Sequence, residues 1–145
     1  MRVLIQRVRQ ASVTVDGKTL GAIEQGLLVF VGIEKHDNPA SLTKMAHKLL
    51  AYRVFADADG KMNLSVQAID GGLLVISQFT LAADTQKGLR PSFSCAAPPA
   101  TAEGLFDEFV ALLAARHVKL ACGQFAADMQ VSLINDGPVT FLLTT

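Results

Sequence analysis

At 145 residues, half of them hydrophobic and 18% charged, the chain is not disordered, and its length suits one domain over residues 1–145. Thirteen basic and thirteen acidic residues give a formal net charge of +0, which excludes a general nucleic-acid coat and confines any RNA contact to a local patch. Cys95 and Cys122 lack Cys-x-x-Cys spacing and a neighbouring histidine, so no metal site and no cofactor are expected. No apolar stretch approaches the ~20 residues of a membrane span. Charge at Arg2 and Arg7 interrupts any signal-peptide core, and a cytoplasmic protein with reduced thiols is the expectation.

Residues 2–15 predict a long strand or a bent strand pair, since Ala11, Val13 and Val15 alternate with Ser12 and Thr14. Asp16-Gly17 supplies the positive φ of a tight hairpin, and a short strand near 19–24 follows. The continuous apolar run Leu27–Ile33 reads as a strand covered on both faces. Asn38-Pro39 starts a helix, because Asn caps and Pro at the first helical position gives up a donor that had no partner. Leu42, Met45, Ala46, Leu49 and Leu50 then mark one packed face.

Asp57-Ala58-Asp59-Gly60 breaks the chain. It resembles the opening of a calcium loop but lacks the third acidic ligand and the closing Glu, so it reads as a turn. Strands are predicted over 62–68 and 72–80. Residues 84–95 lack periodicity, and Pro98-Pro99 opens a second amphipathic helix with Ala102, Leu105, Phe106, Phe109, Leu112 and Leu113 inward. Two strands, about 118–134 and 139–144, end the chain. About seven strands and two helices with hairpin-length links argue for an α+β domain of mostly antiparallel sheets.

The common catalytic motifs are missing. There is no Gly-x-Ser-x-Gly elbow, no phosphate-cradling glycine loop, and His36, His47 and His117 read as surface or helix-flank residues. Two stretches stand out instead. Ser77-Gln78-Phe79-Thr80-Leu81 turns an apolar run polar at its end, and Asn135-Asp136-Gly137-Pro138-Val139-Thr140 interrupts another with a residue that cannot donate to a ladder. Taken singly, the first reads as a strand end with locally bonded hydroxyls and the second as a hairpin turn with an ordinary trans bond.

Together, these two signatures closely resemble those of the D-aminoacyl-tRNA deacylase family. The resemblance covers essentially the whole chain and includes Ile5-Gln6-Arg7-Val8, Gly60-Lys61-Met62-Asn63, Arg90-Pro91-Ser92-Phe93 and Phe125–Val131. It implies a barrel-like deacylase fold and hydrolysis of the ester in D-aminoacyl-tRNA, with glycyl-tRNA also cleaved. It further implies a homodimer with active sites at the interface, binding neither DNA nor a membrane. Ser77, Gln78, Phe79 and Thr80 would be catalytic, with oxyanion donors among the backbone N–H groups of Gln78 and Phe79. Thr80 would orient the ester or water, because no base stands near it to activate a nucleophile.

By the same resemblance, Gly137 and Pro138 would form a cis unit that enters the partner's pocket and rejects L-residues by clash, with Arg7 as its brace. Phe125 and Met129 would line the substrate pocket. Lys87 and Arg90 would touch tRNA phosphates. The alternative is a non-catalytic dimeric module that binds D-amino acids, which would keep the Gly-Pro unit but need no oxyanion donors.

Overall fold

The computed structural model describes residues 1–86 and 88–145, so the RNA contact expected at Lys87 lies outside the described residues. The chain orders as β1 (Arg2–Val15), β2 (Lys18–Ile23), β3 (Gly26–Gly32), α1 (Pro39–Ala51), β4 (Arg53–Ala56) and β5 (Met62–Ser65). There follow β6 (Gly72–Ser77), a 3-10 turn (Phe79–Ala82), α2 (Pro99–Ala114), β7 (Leu120–Cys122) and β8 (Gln130–Thr144). Among the described residues no helix is long and apolar enough to cross a membrane.

β1 is one long strand and the hub of the sheet. Arg2–Val8 pairs with β3 and Ala11–Val15 with β2, both antiparallel, while β8 runs antiparallel along its other edge from Arg2 to Thr14. The path continues through β6 and β7 in parallel register, giving the order β2-β1-β3-β6-β7 with β8 branching from β1. β2 curls back toward β7: a Cβ placed on Gly21 would lie 2.9 Å from Ala121 Cβ, so the sheet is nearly a closed barrel. The predicted α+β architecture with two helices is what the chain adopts, and β4 and β5 form a separate hairpin.

Successive strand residues point to opposite faces, and the two cores follow from that alternation. Leu27, Val29 and Val31 of β3, with Leu73 and Val75 of β6, face the helices. There they meet Leu42, Met45 and Leu49 of α1 and Phe106, Phe109 and Leu113 of α2. Leu28, Leu74 and Ile76 face inward and close on Val8, Ala11 and Val13 of β1. Truncating a residue such as Phe109, fully buried, costs roughly 3–5 kcal/mol by this logic. α1 begins as its sequence demands: Asn38 Oδ1 accepts from the N–H groups of Ala40 (3.0 Å) and Ser41 (3.2 Å), and Ser41 Oγ accepts from Asn38 N–H (3.1 Å).

Several boundaries differ from the sequence reading. The strand expected over 72–80 ends at Ser77, and Phe79–Ala82 coils into the 3-10 turn. The strand expected over 62–68 ends at Ser65, and β4 was not foreseen because four residues give too short a pattern. The two terminal strands are divided elsewhere: β7 holds only Leu120–Cys122, and β8 runs unbroken through the Gly-Pro pair to Thr144. His117 is buried rather than on the surface, and its Nε2 donates to the Gly71 carbonyl at 2.6 Å.

Candidate active site

The Ser77–Leu81 stretch sits at the carboxyl end of β6, where a parallel strand leaves its last polar groups free of a ladder. It lies directly on β3. A Cβ on Gly32 would fall 2.9 Å from Leu81 Cβ and 3.2 Å from the Gln78 carbonyl oxygen, so only glycine lets the turn settle there. Arg2 donates to the Leu81 carbonyl (3.3 Å) while its Nε holds Glu34 (3.0 Å), fixing the far side of the turn.

Inside this frame the amide of Gln78 donates to the Val31 carbonyl at 2.7 Å. It is therefore unavailable as an oxyanion donor, contrary to the sequence expectation. The amides of Phe79 and Thr80 have no acceptor among the described residues and are the free pair. The Gln78 side chain serves otherwise: its Nε2 donates to Thr80 Oγ1 at 2.6 Å, leaving the threonine hydroxyl proton free to point elsewhere. No carboxylate or histidine among the described residues is hydrogen-bonded to Thr80. The Cys122 thiol, on the neighbouring strand β7, is pushed up by burial and further by the Asp107 charge, which disfavours the thiolate.

β7 runs parallel to β6, so the segment after it lies beside the residues after Val75. Gly123 N–H donates to the Val75 carbonyl (3.0 Å), and a Cβ there would strike Met129 Sδ at 2.6 Å and Ile76 Cδ1 at 3.0 Å. Met129 is thus brought to the end of β6. Phe125, half-buried, packs on Phe106 with centroids 6.1 Å apart. Phe79 is well exposed and pairs with Phe93 at 5.0 Å. Arg90 is exposed in a loop pinched by reciprocal backbone bonds between Asp84 and Ser92.

The second signature is built differently. Thr140 of β8 faces Gln6 and Asn135 faces Val8, so residues 136–139 bulge opposite Arg7 alone. The Gly137–Pro138 bond in this bulge is cis, and Gly137 has φ +137°. Asn135 bridges the base of the bulge, its Oδ1 accepting from Val139 N–H (2.7 Å) and its Nδ2 donating to Thr140 Oγ1 (2.9 Å). Arg7 spans to the outside: Nε donates to the Asp136 carbonyl (2.9 Å) and a terminal nitrogen to the Val54 carbonyl (2.6 Å). Arg9 adds an ion pair to Asp136 at 3.4 Å.

One chain does not bring the two signatures together. Arg7 stands in register with Leu27 and Leu73, whereas Ser77 stands in register with Val31 and Val3. Along the sheet this separates them by about 13 Å lengthwise and by three strand spacings of about 4.8 Å. Neither signature lines any of five surface grooves of about 460–690 Å³.

The chain is thus a small barrel-like α+β domain whose parallel strand end presents unpartnered amides and whose edge strand carries a braced glycine-proline bulge. The sequence pattern of the family described as D-Tyr-tRNA(Tyr) deacylase matches residues 4–144. A protein of Saccharophagus degradans named D-aminoacyl-tRNA deacylase is 70% identical over 144 residues, covering 99% of each chain. One of Cellvibrio japonicus with the same name is 66% identical over 140 residues, covering 97% of this chain and 96% of its own. A solved structure named c-Myc DNA Unwinding Element Binding Protein superposes with a TM-score of 0.96 at 40% identity, covering 100% of this chain and 99% of that one. The chain belongs to the D-aminoacyl-tRNA deacylase family.

Proposed function

We propose that the chain is an editing hydrolase that cleaves the ester of D-aminoacyl-tRNA and spares L-aminoacyl-tRNA. The observation that carries this reading is the pair of amides at Phe79 and Thr80 that have no acceptor among the described residues, set beside a hydroxyl that Gln78 holds in place. Two fixed N–H donors beside an ester carbonyl stabilise the negative charge that develops on its oxygen during attack. Thr80 Oγ1, already accepting from Gln78, retains one proton to donate and orients the ester or the attacking water. With no base bonded to it, the threonine works by position rather than by forming an acyl-enzyme.

Selection by handedness is the task of Gly137 and Pro138. Arg7 and Asn135 hold that bulge rigid, so its carbonyls reject an L side chain by overlap while a D side chain points away. The sheet separation of the two signatures supports a homodimer in which one subunit's bulge completes its partner's site at Ser77–Thr80. Phe125 and Met129 would wall the pocket, and Arg90 would meet the tRNA backbone.

Incubation with D-, L- and glycyl-tRNA tests the reading. D-aminoacyl- and glycyl-tRNA should be cleaved and L-aminoacyl-tRNA left intact, since glycine has no side chain to exclude. Complete sparing of glycyl-tRNA would contradict rejection by clash. Thr80→Ala should slow hydrolysis, and a covalent acyl group trapped on Thr80 in the wild type would overturn its orienting role.

A further inference from the structure

The two helices carry opposite charge. α1 bears Lys44, His47 and Lys48 and no carboxylate, whereas α2 bears Glu103, Asp107 and Glu108 and no basic residue. The cations of the chain also divide by partner. Arg2, Arg7, Arg9 and Lys119 each hold a carboxylate. Lys18, Lys61, Arg90, Lys35, Lys44, Lys48, Arg53 and Arg116 make no ion pair among the described residues; the last five gather about α1, and of these all but the half-buried Lys48 are exposed.

The five about α1 form a continuous track. Lys44 is the shared wall of three grooves: the first holds Lys35 and Cys95, the second Arg116, the third Lys48 and Arg53. No Asp or Glu lines the second or third groove. Those in the first, Glu34 and Asp37, are engaged by the Met1 amine, and Glu34 by Arg2 as well. Cys95 lies two residues from Phe93, whose ring packs on Phe79 of the candidate catalytic turn. The track therefore leads away from the site and along α1, where Lys44 and Lys48 stand one turn apart, about 6 Å along the axis.

We propose that this track binds the phosphate backbone of the tRNA acceptor stem, beyond the aminoacylated end held in the site. The inference rests on the deacylase reading. A chain with no net charge gains nothing from overall attraction to RNA, so its affinity for the stem must come from cations segregated on one face and left without carboxylates. Each phosphate neutralised releases condensed counterions, which makes the contact measurable through salt.

The test is the Lys44→Gln/Arg116→Gln double variant, its fold checked by circular dichroism, assayed on two substrates. One is full-length D-aminoacyl-tRNA; the other is 3′-(D-aminoacyl)adenosine, which has no stem. KM for the tRNA should rise on the order of 10- to 100-fold, with kcat nearly unchanged. The log–log salt dependence of kcat/KM should flatten by about 2, roughly 0.9 per lost contact. Hydrolysis of the adenosine ester should not move, and Lys44→Arg should keep the wild-type KM. An active wild type whose variant shows unmoved KM and salt slope on tRNA, or equal losses on both substrates, overturns the track alone. A wild type inert toward both substrates overturns the deacylase reading and the track with it.

Discussion

The Ser77–Leu81 turn and the Asn135–Thr140 bulge both place polar groups at the margin of the same sheet, yet they treat them in opposite ways. In the turn, two amides are left open: those of Phe79 and Thr80 have no acceptor among the described residues, while those of Gln78 and Leu81 are tied down. In the bulge, Asn135, Arg7 and Arg9 hold the Val139 amide, the Thr140 hydroxyl and the carbonyl and carboxylate of Asp136 from within the chain. A surface that must bind charge developing in a reaction keeps its donors free, and a surface that must exclude a shape spends them on rigidity. The register separation adds a second lesson: the turn and the bulge of one chain are not neighbours.

Gly137→Ala should break the contrast most. Its Cβ would meet Val139 Cγ2 at 2.8 Å and an Arg7 nitrogen at 3.1 Å, at a φ that L-residues rarely adopt. Strain and overlap of roughly 1–3 kcal/mol each should displace the bulge. The ratio of D- to L-aminoacyl-tRNA cleavage, measured side by side, should fall more than tenfold while the turn at Thr80 stays intact.

Arg7→Ala comes next. It removes bonds to two carbonyls from different elements, worth on the order of 1.5–3 kcal/mol each where a charged donor is involved. Both thermal stability and handedness discrimination should drop, and Arg7→Lys should not restore them, because an ammonium cannot span both acceptors as a planar fork does. Unchanged discrimination in Arg7→Ala would mean that the bulge is held without it.

Gln78→Ala probes the open region. Loss of the bond to Thr80 should lower kcat on D-aminoacyl-tRNA about tenfold, or ~1.4 kcal/mol, with KM and discrimination preserved. If discrimination moved instead, the division of labour between the two regions would be wrong.

The smallest effect lies in the β4–β5 hairpin. Asp57 is held below its ordinary value chiefly by the Asn63 side chain and then by the Lys61 amide. A depressed folded-state value means its contribution is complete above the unfolded value and is lost as pH falls through the folded one. Hairpin protection in hydrogen exchange should therefore weaken only under acid conditions, and Asp57→Ala should remove that dependence.

Sequence pattern made much of the fold legible. The Asn38-Pro39 cap, the Leu42–Leu50 face and the doubly covered Leu27–Val31 run all announced themselves through side chains. What stayed hidden depends on backbone pairing. The parallel β3–β6–β7 register, the passage of β8 through Gly137–Pro138, and the use of the Gln78 amide by Val31 have no side-chain signature. The two signatures were readable as candidate sites, but their separation within one copy required the register of four strands.

The most direct test of the central claim is subunit mixing. One chain carries a damaged turn (Gln78→Ala/Thr80→Ala) and the other a damaged bulge (Gly137→Ala); each is assayed alone, then both are unfolded, combined and refolded. Recovery of fast, D-selective deacylation in the mixture is the expected result, because each mixed dimer would join an intact turn to an intact bulge from the other subunit. Mixed dimers that form yet show only the averaged defects of their parents would contradict it.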